Sequence, residues 1–80
     1  MLPRINNVTA VEDFIFSVIF ENGEKGIFDL KPYLNLGKFI ELKVDNNYKK
    51  FKLDDGVITW FNGLDIAPDT VYLSSKFDNN

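Results

Sequence analysis

The chain has 80 residues and a formal net charge of −3, and its apolar residues include eight Phe, three Tyr and one Trp. It contains no Cys and no His, which excludes disulfides, thiolate metal centres and any mechanism using imidazole as base or zinc ligand. No apolar run approaches the roughly 18 residues of a membrane span and no basic-then-apolar leader opens the chain, so a cytoplasmic protein without membrane contact is expected.

This length makes one domain, placed at residues 3–75, with 1–2 and 76–80 as loose tails. Such a chain buries only roughly 60 to 65% of its unfolded surface. Aromatic side chains, each removing on the order of 150–250 Å² from water, must therefore carry the core. A homodimer would widen the narrow stability margin.

Pro3 opens an extended segment over 4–11, with a strand at 8–11, and Glu12-Asp13 turns the chain. Residues 14–20 alternate as a strand, with Phe14, Phe16, Val18 and Phe20 on one face and Ile15, Ser17 and Ile19 on the other. Asn22-Gly23 then reads as a two-residue type I′ hairpin loop. That loop pairs Phe20 with Lys25, Val18 with Ile27, Phe16 with Asp29 and Ser17 with Phe28. Neither face of this hairpin is plainly polar, which predicts cover on both sides, by a helix on one and a partner on the other.

Asp29 is placed to cap a helical turn with Pro32 in its first positions. Short helical pieces are expected at 38–42 and 45–49, although the apolar residues there lack a clean period and a strand is the alternative. A second hairpin follows. With Asp55-Gly56 as its loop, Leu53 faces Ile58 and Phe51 faces Trp60 on one apolar face, while Lys52, Asp54, Val57 and Thr59 share the other. A three-residue loop would throw Ile58 and Trp60 to the opposite side, so the tighter turn is expected. Asn62-Gly63 reverses the backbone again, and Pro68 begins a short helix over 68–73, with an edge strand at 70–73 as the alternative. The reading is an α+β fold: a small antiparallel sheet built from two hairpins plus an N-terminal strand, with one or two short helices.

The ordered set of these features resembles a small bacterial family, domain of unknown function 2442. It comprises Phe20-Glu21-Asn22-Gly23-Glu24, Phe28-Asp29-Leu30, Tyr33-Leu34, Asp55-Gly56-Val57-Ile58-Thr59-Trp60, Asn62-Gly63, Asp65-Ile66, Pro68-Asp69 and Tyr72. Phe61 departs from the pattern, which often has Pro or a small residue before Asn-Gly. The resemblance implies an α+β fold with a small antiparallel sheet. It also implies relatives joined to helix-turn-helix domains or lying beside toxin–antitoxin-like proteins; with few residues following Tyr72, no fused DNA-binding domain is expected here.

Candidate sites are few. Asp65 and Asp69, four apart around Ala67-Pro68, could converge as paired carboxylates for acid–base or metal-dependent chemistry. The structural alternative is that Asp65 bonds turn N–H groups and Asp69 caps the last helix. Glu41, Asp45, Asp54 and Asp55 are weighed as a Mg²⁺ or Ca²⁺ set, but their spacing matches no calcium loop, and no cofactor or metal is expected. Lys43, Lys49, Lys50 and Lys52 form the only basic concentration, a nucleic-acid footprint or a solvated edge. Trp60, Phe61 and Tyr72 form an aromatic group for a protein partner or single-stranded nucleic acid. With Trp60 facing the core, Phe61 points outward, to be covered by a helix or by a partner. The favoured function is a non-enzymatic protein-interaction module, acting in a bacterial regulatory pair or as a homodimer.

Overall fold

In the computed structural model, which describes residues 1–77, the chain forms two antiparallel sheets where one was expected. Its elements run β1 (Ile5–Val11), β2 (Ile15–Phe20), β3 (Lys25–Asp29), three 3-10 turns (Lys31–Tyr33, Gly37–Lys43 and Asn47–Lys49), β4 (Phe51–Asp54), β5 (Val57–Trp60), β6 (Asp65–Ile66), α1 (Pro68–Ser74) and β7 (Lys76–Phe77). The first sheet has strand order β1-β2-β3-β7 and the second β4-β5-β6. Lys76 and Phe77, expected in a loose tail, instead pair with Ile27 and Gly26. The remaining tail, 78–80, lies outside the described residues.

The first hairpin is slipped by one residue from its expected register. Phe16 faces Phe28, Ser17 faces Ile27 and Ile19 faces Lys25. The slip arises because Glu21 joins Asn22 and Gly23 in a three-residue loop. Gly23 N–H donates to Phe20 O at 2.9 Å, Phe20 N–H donates to Glu24 O at 2.9 Å, and only Gly23, at φ +89°, takes the left-handed conformation. This is a type I turn closed by a left-handed glycine, with the Asn22 Oδ1 accepting from Glu24 N–H at 3.0 Å. One residue of slip sorts the faces. Phe16, Val18, Phe20 and Phe28 are now buried together, while Ser17, Lys25 and Ile27 face outward. Ile15, Ile19 and Ile27 nevertheless stay on the outer face, which therefore remains partly apolar, as the sequence suggests.

The strand expected from Phe14 begins one residue later. Phe14 and Asp13 both sit at φ 63°, reversing the chain between β1 and β2. Positive φ is costly for a bulky residue. Here the Phe14 ring packs on Tyr48 at 4.6 Å and its carbonyl accepts from Leu30 N–H at 3.0 Å. Lys31 Nζ fastens the same turn, donating to Asp13 O at 3.0 Å and pairing with Asp13 and Asp29.

The second hairpin takes the register that places Leu53 opposite Ile58 and Phe51 opposite Trp60. Asp55 at φ 51° and Gly56 at φ 79° supply the two positive dihedrals of a type I′ loop. Its apolar face meets the first sheet around Phe16, which is fully buried. Phe51 and Trp60 approach the Phe16 ring edge-on, with centroids 5.5 and 6.2 Å away, geometries that suit the aromatic quadrupole. Val71 of α1, Leu42 and Leu30 complete the core between the sheets.

The helical pieces stay short for local reasons. Asp29 Oδ1 accepts from Lys31 N–H at 2.9 Å to start the first turn, with Pro32 inside it. Gly37–Lys43 buries only Leu42. Pro68 begins α1; Tyr72 ties it to Glu24, just before β3, and Ser74 ties it to Tyr33 of the first 3-10 turn. The alternative edge strand over 70–73 is not formed. Among the described residues, no helix is long and apolar enough to cross a membrane.

Candidate functional site

The β5–β6 connection repeats the chemistry of the first hairpin loop. Gly63 N–H donates to Trp60 O at 3.1 Å, Trp60 N–H donates to Leu64 O at 2.8 Å, and Gly63 takes φ +84°. Asn62 Oδ1 accepts from Leu64 N–H at 3.2 Å while its Nδ2 donates to Glu41 Oε1 at 3.1 Å. The loop Phe61-Asn62-Gly63 is therefore held both internally and to the Gly37–Lys43 turn.

That loop separates two neighbouring aromatic residues. Trp60 is buried and its indole N–H donates to Tyr48 O at 2.9 Å. Phe61, the first residue of the loop after β5, is 62% exposed. The β4–β5 register ends at Trp60, opposite Phe51. The same register puts Lys52 opposite Thr59 on the outer face. Lys50, Lys52, Asp54, Thr59 and Phe61, backed by Trp60, line a shallow groove of about 310 Å³.

The other sequence candidates are dispersed. Tyr72 lies away from Phe61 and is half-buried, its hydroxyl donating to Glu24 Oε1 at 2.7 Å and its ring meeting Phe20 edge-on at 5.0 Å. The Glu24 bond, aided by desolvation, raises the Tyr72 phenol above its ordinary value. Asp65 is exposed on β6 opposite Thr59, and Asp69 is exposed in the first turn of α1. Neither lines the groove. Nor does either take the structural role offered as the alternative, since α1 has no side-chain cap and Asn62, not Asp65, serves the turn.

The lysines divide as well. Lys43 Nζ donates to Asn35 Oδ1 at 2.8 Å and Lys49 pairs with Glu12 at 3.0 Å, so the four-lysine footprint is reduced to Lys50 and Lys52. The weighed metal set is scattered in the same way. Glu41 holds Asn62, Asp55 pairs with Arg4 at 3.5 Å, and Asp54 lines the groove. Among the described residues, no three acidic side chains converge to hold an ion.

Sequence reasoning missed Glu41 as the tether of the Phe61 loop and Thr59 as part of the groove floor. Thr59 was legible from the hairpin register. Glu41 was not, because it meets Asn62 from 21 positions away in the sequence with no local pattern between them.

No curated protein and no solved structure shows significant similarity to this chain. A family model described as "Protein of unknown function (DUF2442)" matches residues 5–77, nearly the whole chain, and the protein belongs to that family.

Proposed function

We propose that this domain is a non-enzymatic protein-interaction module that docks through Phe61 and the groove beside it. The observation that carries the reading is an exposed aromatic ring on a loop with no freedom to withdraw. Four hydrogen bonds fix the backbone and side chains around Phe61, yet the ring itself stays 62% exposed. Exposed aromatic residues on rigid supports are the usual anchors of protein interfaces, because little conformational entropy is lost when they are buried. The separation of Asp65 from Asp69 by strand and helix, both outside the groove, further favours docking over carboxylate chemistry.

The test is photo-cross-linking in cells that make the chain natively, with a photoreactive phenylalanine at position 61. Position 17, exposed on the outer face of β2, is the control. A discrete adduct at 61 and none at 17 supports docking, whether the adduct is to another protein or to a second copy. No adduct at 61 beyond that at 17 overturns it.

A further inference from the structure

The outer face of β4 and β5 holds a charge pattern that an aromatic anchor alone does not account for. Arg4 is paired with Asp55, Lys31 with Asp13 and Asp29, and Lys49 with Glu12, while Lys43 donates to Asn35. Lys50 and Lys52, like Lys25, Lys38 and Lys76, have no such partner among the described residues, although Asp54 follows Lys52 by two positions on the same face. Of these unpaired lysines, Lys50 and Lys52 line the groove of about 310 Å³ that Phe61 and Thr59 also line. Lysine stems are long and flexible enough for two ammonium groups to meet one carboxylate.

A ligand for this groove needs negative charge and an apolar group close together. A polyanion is a poor fit, because affinity for a phosphate chain grows with the number of phosphates neutralised. Only two free cations stand here, Asp54 lies at the groove, and the chain as a whole carries −3. An extended peptide with one or two carboxylates matches both the number of charges and the size of the depression.

We propose that the groove binds an extended acidic segment of a partner protein, with a carboxylate at Lys50 and Lys52 and a neighbouring apolar side chain against Phe61. This rests on the docking role given to Phe61 above and specifies its ligand.

The experiment titrates the ¹⁵N-labelled chain with a short synthetic peptide carrying Glu and Phe two positions apart. A matched peptide with Gln for Glu and a single-stranded oligothymidylate are titrated alongside. Amide shifts concentrated at Lys50, Lys52, Thr59 and Phe61 are expected for the acidic peptide. Its affinity should fall about tenfold with Lys50→Gln and Lys52→Gln together, and by a similar factor for the Gln peptide. Both lysines are exposed, so the variants should keep the native amide spectrum. Equal binding of the Gln peptide, shifts centred elsewhere, or tighter binding of the oligothymidylate overturns the proposal, the last by assigning the groove to nucleic acid. If acid preference fails while the cross-link at position 61 persists, docking at Phe61 stands and the acidic ligand falls.

Discussion

The indole N–H of Trp60 donates to the backbone carbonyl of Tyr48 at 2.9 Å, and the phenol of that Tyr48 donates to the carbonyl of Val11 at 2.7 Å. One residue of a 3-10 turn thus ties β5 of the second sheet to β1 of the first, between sheets that share no backbone ladder. Tyr48→Phe should cost about 1 kcal/mol through loss of a single bond. Trp60→Phe should cost about 2–3 kcal/mol, since it leaves the Tyr48 carbonyl without its donor and removes ring volume from the core. The double variant should lose less than the sum, because both bonds hold the same turn. Urea unfolding followed by circular dichroism measures all three.

Gly26 is required by closeness, not by its dihedrals. A Cβ there would lie 3.0 Å from Ser75 Cβ and 3.1 Å from the Phe77 ring. Gly26→Ala should cost about 1–2 kcal/mol by overpacking, and the strain should appear first in the two-residue β7. Faster hydrogen exchange at the Phe77 amide than in the parent chain is the expected sign.

The loop carrying Phe61 can be loosened without touching the ring. Gly63 has open space around it but sits at φ +84°, so Gly63→Ala should cost roughly 1–2 kcal/mol from the left-handed backbone alone. Asn62→Ala removes the acceptor for Leu64 N–H and the tether to Glu41, and should cost about 1 kcal/mol. Each change should also weaken cross-linking at position 61 in an otherwise folded chain.

Tyr72 provides a pH-dependent contribution. Its hydrogen bond to Glu24, with desolvation and the carboxylate's charge, raises the phenol above the ordinary 10.0. As pH rises, the unfolded chain releases this proton before the folded one does. The contribution is therefore complete below pH 10.0 and is lost as pH climbs from there through the raised value. Urea midpoints measured from neutral to alkaline pH should decline more steeply for the parent than for Tyr72→Phe.

How much of this was legible in the sequence depended on whether one register left a single apolar face. At the second hairpin it did. Only a two-residue loop gathers Phe51, Leu53, Ile58 and Trp60, and the outward Lys52 follows from that pairing. At the first hairpin the expected two-residue loop and the observed three-residue loop both leave apolar residues on each face. The choice was made by Asn22 accepting from Glu24 N–H, and by the burial gained when Phe16 meets Phe28. The division into two sheets was not legible, since it is set by contacts such as Tyr48 to Val11, 37 residues apart. Nor was β7, where two residues are too few to show a period. Of the candidate site, Lys52 was readable from alternation, and the exposed ring was expected from the core position of Trp60 beside it. The dispersal of Asp65, Asp69, Lys43 and Lys49 required the three-dimensional arrangement.

The most direct test of the account compares stability and contact in one variant, Phe61→Ser, with the photoreactive probe moved to position 59, beside the missing ring. An unfolding free energy within about 0.5 kcal/mol of the parent, together with loss of the adduct that the probe at 59 forms in the parent chain, is the predicted result. A variant that unfolds markedly more easily, or one that keeps the same adduct, would contradict it, since Phe61 would then be serving the fold or serving nothing.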